Sequence, residues 1–112
     1  MKIKKRIESD IAVLIPDGRI DMGSLNEFSN AINYAIETEG MRKVLIDFSC
    51  TEYMSSAGIR ALIEALKKLE AKKGKLAFCT PSDTLKELFS VVQLEKVIKI
   101  YNSEFEALDA MM

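Results

Sequence analysis

Two short segments that are apolar at every position constrain the fold of this chain more than any other feature of its sequence. Residues 44–46 read Val-Leu-Ile, and residues 76–79 read Leu-Ala-Phe-Cys. Successive side chains of a β-strand point to opposite faces of the sheet, so a strand with no polar face needs cover on both sides. Such strands are typical of parallel sheets that carry helices on both faces. The two segments therefore predict the interior strands of an α/β domain.

Strands and helices alternate along the rest of the chain. The predicted strands cover residues 2–8, 11–15, 44–47, 76–79 and 97–101. Helical periodicity of apolar residues predicts helices before residue 40, before residue 74, after residue 81 and after residue 103. This alternation favours right-handed crossovers and a mostly parallel sheet, to which the opening hairpin adds an antiparallel edge strand. We predict a single α/β domain over residues 1–112, with a mixed sheet and about four helices.

Turn and cap residues predict where these elements end. The Pro16-Asp17-Gly18 sequence is expected to interrupt the second strand, and a bulge is one way for the strand to resume at residues 19–20. Ser24 and Glu27 have the spacing of a capping box, as do Ser103 and Glu106. These signals predict the starts of the first and last helices.

Composition and charge exclude several classes of function. The net charge is −1, which gives the chain no overall attraction for nucleic acid. The chain has no histidine, so it cannot form a Ser-His-Asp or Cys-His catalytic group, and its two cysteines do not form a CxxC motif. No apolar stretch approaches the length of a membrane span or a signal peptide. We expect a cytoplasmic protein with two free thiols, no metal, no cofactor and no enzymatic activity.

Asp47 is the one carboxylate in a position where open α/β sheets bind ligands, at the end of a predicted parallel strand. A phospho-receiver domain combines such an aspartate with an acidic pair that follows its first strand and leads into a helix. Here the acidic residues Glu8 and Asp10 lead into a second strand instead. No glycine-rich phosphate loop is present either. The favoured interpretation is that the Asp47 carboxylate accepts a backbone N–H group of the loop that follows it.

Residues 44–58, VLIDFSCTEYMSSAG, carry the most specific motif in the chain. Asp47 and Ser49 form a D-x-S sequence, and Ser56 precedes Ala57-Gly58 after a spacer. This arrangement resembles that of the STAS domain family, and in particular its bacterial anti-sigma-factor antagonists. Further resemblance, in the same order as in that family, is found at residues 18–21, at residues 75–78, at Pro81 with residues 88–89, and at residues 106–108. Two positions depart from the family pattern: Ser55 replaces a frequent aspartate, and Gln93 replaces a frequent glycine.

The resemblance implies a binding module that is switched by phosphorylation. In that family the unmodified antagonist binds an anti-sigma factor that is also a serine kinase, and phosphorylation of one serine releases it until a serine phosphatase restores binding. The serine that corresponds here is Ser56, and Asp47 and Ser49 would support the loop before it. The expected partner surface is formed by Met22, Ser55, Ser56, Ala57, Gly58 and Arg60. We expect a monomer, or at most a weak dimer, because the predicted core leaves no long apolar helix face uncovered.

The sequence leaves several alternatives open around Ser56. Either Ser55 or Ser56 can cap the helix that follows, and both are consistent with caps alone. The missing side chain of Gly58 allows either the approach of a partner or close packing within the chain. Tyr53 and Met54 are either loop anchors or core residues. Other functions also remain: a STAS scaffold subunit of a stress-signalling assembly or of a lipid transporter, or a nucleotide-binding module.

Overall fold

The computed structural model describes residues 1–112 as a sheet of six strands with four α-helices. The first part of the chain forms β1 (Lys2–Glu8), β2 (Ile11–Ile20), α1 (Leu25–Asn33), a π-helical turn (Tyr34–Thr38), β3 (Lys43–Asp47) and β4 (Thr51–Met54). The second part forms α2 (Ser56–Ala71), β5 (Lys75–Cys79), α3 (Asp83–Val91), a 3₁₀ turn (Leu94–Lys96), β6 (Lys99–Tyr101) and α4 (Glu104–Met111).

The strands follow the order β1-β2-β3-β5-β6, and β4 pairs with the last residues of β2. The pairing of β1 with β2 is antiparallel, and the pairings of β2 with β3, β3 with β5, and β5 with β6 are parallel. The predicted mixed sheet, with a parallel core and an antiparallel N-terminal edge strand, is therefore confirmed.

The central strand β3 is covered on both faces, as its apolar sequence predicts. Val44 and Ile46 belong to the larger apolar core, to which α1, α2 and α3 contribute. Leu45 points to the other face and packs in a smaller cluster with Ala107 and Met111 of α4. Fully burying a side chain of this size contributes about 1.5–3 kcal/mol relative to exposing it.

The interruption predicted around Pro16 is wrong, but a register shift of the kind expected of a bulge is present. Strand β2 runs without interruption to Ile20, and its register against β4 shifts between Gly18 and Arg19. The β4 strand was not predicted, because only four residues form it and its two central residues are exposed. It is held to β2 by hydrogen bonds from Thr51 Oγ1 to the Pro16 carbonyl, 2.9 Å, and from Gly18 N–H to the Cys50 carbonyl, 2.9 Å.

Two helix and strand starts also differ. The capping box predicted at Ser24 does not form, because Ser24 Oγ donates to the carbonyl of Arg19 and accepts the N–H group of Asp21. The capping serine predicted at Ser103 is confirmed, since its Oγ accepts the N–H group of Glu106 at 3.1 Å. Strand β6 begins at Lys99 instead of residue 97, because at the end of the 3₁₀ turn the N–H groups of Val97 and Ile98 donate to the carbonyl of Leu94.

Gly40 has a φ of +68°, the left-handed conformation expected of a residue that ends a helix. None of the helices combines the length and the apolar character that crossing a membrane requires.

Candidate functional site

The junction between β4 and α2 fixes the two serines in different roles. The Ser55 N–H group donates to the carbonyl of Ile20 at 2.8 Å, which holds the junction to the end of β2. Ser55 Oγ accepts the N–H group of Gly58 at 3.3 Å, so Ser55 is the N-cap of α2. Ser56 is the first residue of the helix, is exposed, and takes no part in the cap. The structure therefore leaves the Ser56 hydroxyl available to another molecule.

The loop before β4 is held by the Asp47 side chain at its start and by the hydrogen bond from Gly18 N–H to the Cys50 carbonyl at its end. Asp47 is buried, and its Oδ1 atom accepts the N–H group of Ser49 at 2.9 Å, the local hydrogen bond that the sequence analysis favoured. The Ser49 side chain is exposed, and its hydroxyl lies 3.9 Å from the sulfur of Cys50. Ser49 and Cys50 are thus surface residues of a loop whose backbone is fixed by Asp47.

Gly58 packs closely within the chain. A Cβ atom at this position would lie 2.7 Å from Cγ of Met54 and 3.0 Å from Cγ2 of Ile20. Met54 is buried in the larger core, whereas 40% of Tyr53 is exposed. Close packing therefore explains the absence of a side chain at residue 58, and Met54 is a core residue.

The residues expected to contact a partner differ in exposure. Met22 is 92% exposed, and it lies two residues after Ile20, whose carbonyl binds Ser55. Ser56 and Arg60 are exposed, Ser55 and Ala57 are half-buried, and Gly58 is buried beneath them. We call the exposed and half-buried residues of this set the Ser56 surface, formed by Met22, Ser55, Ser56, Ala57 and Arg60.

An apolar groove of about 400 Å³ runs beside Ser56 between β4, α2 and α3. Its walls are formed by Tyr53, Met54, Ser56, Ile59, Thr84, Leu85, Leu88 and Val92. None of these side chains is charged, so the hydroxyl of Ser56 lies on the wall of a neutral, mostly apolar cleft. The contribution of α3 to this groove cannot be predicted from the sequence, because it depends on how that helix packs beside α2.

Arg19, which contacts Tyr53 of the groove wall, is already engaged by two other groups. The guanidinium group of Arg19 lies 4.4 Å from the centroid of the Tyr53 ring, and its Nε atom lies 3.6 Å from Oδ2 of Asp21. Cation–π contacts of this kind stabilise exposed sites by about 0.5–1 kcal/mol. Arg19 therefore supports the outer face of the Tyr53 ring.

A second polar cluster lies where β3 and β5 end, on the side covered by α4. Burial raises the pKa of Glu104, the neighbouring carboxyl of Asp47 raises it further, and an ion pair with Arg6 opposes both effects. Burial and the charge of Asp47 raise the pKa of the Cys79 thiol to about 12, so this thiol stays protonated at neutral pH. Neither Asp47 nor Glu104 lines any of the three cavities of the structure. No group of three His, Cys, Asp or Glu side chains is arranged to hold a metal ion.

Comparisons with known proteins agree with this architecture. The family model described as the STAS domain matches residues 2–107. The anti-sigma-B factor antagonist of Listeria monocytogenes is 29% identical over 106 residues, which cover 95% of this chain and 91% of the relative.

Solved structures share the fold over nearly the whole chain. A Thermotoga maritima protein named after the anti-sigma factor antagonists superposes with a TM-score of 0.92 at 20% identity, and the match covers 97% of this chain and 93% of the other. The phosphorylated form of the Bacillus cell fate determinant SpoIIAA superposes with a TM-score of 0.79 at 20% identity, and covers 99% of this chain and 100% of its own. Its unphosphorylated form gives a TM-score of 0.78 at 20% identity, over 97% of this chain and 96% of its own.

Proposed function

This chain belongs to the STAS domain family, and from that premise we propose that it is an anti-sigma-factor antagonist controlled by phosphorylation of Ser56. While Ser56 is unmodified, the chain binds an anti-sigma factor that is also a serine kinase. Phosphorylation by that kinase releases the chain, and a serine phosphatase returns it to the binding form. The observation that carries the proposal is the exposed Ser56 hydroxyl on the wall of a neutral apolar groove.

The groove supports a binding role for the unmodified chain. Burying apolar surface of a partner against Tyr53, Leu88 and Val92 contributes about 25 cal/mol per Å² of area removed from water. The Ser56 surface continues directly from the groove, because Ser56 belongs to both. We propose that the partner covers the groove and the Ser56 surface together, and that no cofactor or metal takes part.

The same geometry supports release by a phosphate. In the transfer, Ser56 Oγ forms a bond to the γ-phosphorus of ATP, the bond from that phosphorus to the bridging oxygen breaks, and ADP leaves. The hydroxyl proton passes to a base of the kinase, so this chain needs no base of its own. The product carries a charge of about −1.5 to −2 at pH 7. Placing that charge against a partner in an apolar groove is unfavourable, because buried charges without partners cost several kcal/mol.

The proposal is tested by capture followed by phosphorylation in vitro. The unmodified chain and a chain with phosphoserine inserted at residue 56 during translation are immobilised, and bound proteins from the source cells are sequenced. We expect an ATP-binding anti-sigma factor on the unmodified chain only. The purified factor, given ATP, is expected to phosphorylate the parent and the Ser49→Ala variant, but not Ser56→Ala. Phosphate on the Ser56→Ala protein, or equal capture by both forms, contradicts the proposal.

We propose that the phosphorylation and dephosphorylation of Ser56 take place in the cytoplasm, where sigma factors act. We also propose that residues 1–112 form one domain that acts as a monomer. Sedimentation checks the last point, since a dimer that persists on dilution contradicts it.

A further inference from the structure

We infer that Arg60 is the intramolecular counter-ion of a phosphate on Ser56, so that phosphorylation also removes this arginine from the surface offered to the partner. The inference rests on the proposed function and concerns the regulation of the same site. Phosphorylation then forms a specific ion pair within the chain, in addition to changing the charge of the surface.

The positions of the two residues on α2 carry the first part of the argument. Arg60 follows Ser56 by four residues within a helix that runs from Ser56 to Ala71, and both side chains are exposed. Residues four apart lie on the same helix face with Cβ atoms about 5–6 Å apart. An acidic group that precedes a basic one by four residues is the more favourable order. A phosphate on Ser56 therefore lies within reach of the Arg60 guanidinium.

The availability of Arg60 carries the second part. The chain has four arginines, and three of them already have partners. Arg6 pairs with Glu8 and Glu104, Arg19 contacts Asp21 and Tyr53, and Arg42 donates two hydrogen bonds to the carbonyl of Lys72.

Of the four arginines, Arg60 alone takes part in none of the ion pairs and side-chain hydrogen bonds of the chain. Glu64, the next acidic residue along the same face, lies beyond ion-pair distance, and an arginine that precedes a glutamate by four residues is the weaker order. A phosphate on Ser56 thus meets a guanidinium that no other group in the chain holds.

The chemistry of the two groups favours their pairing. A guanidinium presents its N–H groups in a planar fork that matches two oxygens of a phosphate. The second pKa of phosphoserine is about 6, so a nearby cation favours the dianion and lowers this pKa. The pKa of the phosphate therefore reports directly on whether Arg60 is close to it.

The experiment measures that pKa by ³¹P NMR on chains in which phosphoserine is inserted at residue 56 during translation. The Arg60→Gln substitution is expected to raise the second pKa of the phosphate by about 0.4, the equivalent of the upper range for helix pairs four residues apart. Arg60→Lys is expected to keep the charge effect in part, because lysine lacks the bidentate fork.

Lys67→Gln is the matched control, because Lys67 is an exposed cation on the same helix. Its position eleven residues after Ser56 places it on the same face, about 16 Å further along the axis and beyond the screening length of physiological salt. Arg19→Gln tests the other arginine near the groove. We expect both variants to leave the phosphate pKa within about 0.1 of the parent value, a small fraction of the change predicted for Arg60→Gln.

A phosphate pKa that does not change in Arg60→Gln, or that depends on Arg19 instead, overturns the inference. The measurement uses no kinase and no partner, so its result is separate from that of the capture experiment. If capture fails while the pKa depends on Arg60, the ion pair stands and the proposed function does not.

Discussion

Ser55 and Ser56 are adjacent and chemically identical, yet the structure gives them different surroundings. Ser55 is half-buried and satisfies the N–H group of Gly58, whereas Ser56 is exposed and free of that task. The choice between them was open in the sequence, because either serine has the spacing of a cap. The fixed position of the Ser55 backbone against Ile20 decides it.

Alanine substitutions are expected to separate the two serines by their effect on stability. Ser55→Ala removes the cap of α2 and is expected to lower the free energy of unfolding by about 1 kcal/mol. Ser56→Ala lies at the first helical position, where alanine is a good helix former, and is expected to change it by less than about 0.5 kcal/mol. Urea denaturation of both variants checks this. Equal losses would mean that Ser56 also contributes to the cap.

Ser56→Asp is expected to affect binding and not folding. Aspartate is favourable near the start of a helix, so the free energy of unfolding is expected to change by less than about 1 kcal/mol. Affinity for the anti-sigma factor is expected to fall at least ~100-fold, because each loss of about 1.4 kcal/mol lowers it tenfold and the buried charge costs several.

Calorimetric titration and thermal denaturation measure the two effects of Ser56→Asp. Ser90→Asp is the control, since Ser90 is an exposed serine on α3 that does not line the groove. Parallel losses of stability and affinity would identify Ser56 as a structural residue, and retention of both would place the interface elsewhere.

At the scale of elements, the turn between α2 and β5 depends on close contact between backbones. A Cβ atom on Gly74 would lie 2.1 Å from the carbonyl oxygen of Arg42, just before β3. The next residue, Lys75, donates its N–H group to that same carbonyl at 2.7 Å. The absence of a side chain at residue 74 therefore lets β5 pair beside β3.

Gly74→Ala is expected to lower the free energy of unfolding by at least about 2 kcal/mol, within the range found for overpacking. The clash is with backbone atoms, so no change of a side-chain rotamer relieves it. Gly23→Ala is the control, because its Cβ atom would lie 3.5 Å from Oδ1 of Asp21, an ordinary contact. Chemical denaturation that shows the same small effect for both substitutions would contradict this account of the turn.

The sequence predicted those elements whose apolar pattern reflects the core. Strands β3 and β5 and helix α2 follow from runs or stripes of apolar residues, and their order is enough to predict a parallel sheet. Strand β4 could not be predicted in this way, because Met54 is its only apolar side chain in the core and hydrogen bonds to β2 hold the rest of it. Ser24 has the spacing of a cap, but its hydroxyl donates instead to the carbonyl of Arg19 in β2.

The candidate site likewise has one part that a local sequence motif predicts and one part that only tertiary packing brings together. Ser56 and Asp47 belong to a local motif that the sequence displays within a dozen residues. The groove beside Ser56 needs Leu88 of α3 and Val92, which directly follows α3, and both lie more than thirty residues further along the chain. Their contribution depends on the packing of α3 against β4 and α2, which no local pattern records.

The whole molecule is expected to respond to pH through Glu104, which joins β1, β3 and α4. Its pKa is raised above the ordinary value of 4.5, so the folded chain holds this proton more tightly than the unfolded chain does. The stability that Glu104 contributes is therefore full below pH 4.5 and is lost as the pH rises through the raised pKa.

Glu104→Gln removes this dependence. The free energy of unfolding of the variant, relative to the parent, is expected to rise as the pH increases from 4.5 through the raised pKa of Glu104, as measured by urea denaturation at each pH. Glu106→Gln on the same helix is the control, because the Glu106 side chain is exposed. A difference between Glu104→Gln and parent that falls or stays constant with pH would contradict the prediction.

The hydrogen bonds that join the β4–α2 junction to β2 also bear on how long a signal lasts. Ser55 is hydrogen-bonded to Ile20 and Thr51 to Pro16, so the backbone that carries Ser56 is held to β2 at two points. The proposed switch therefore works through the covalent state of Ser56 and needs no rearrangement of this backbone. On the proposed function, a single phosphate ester distinguishes the released form from the binding form. The lifetime of the released form is then set by the rate at which the phosphatase hydrolyses this ester.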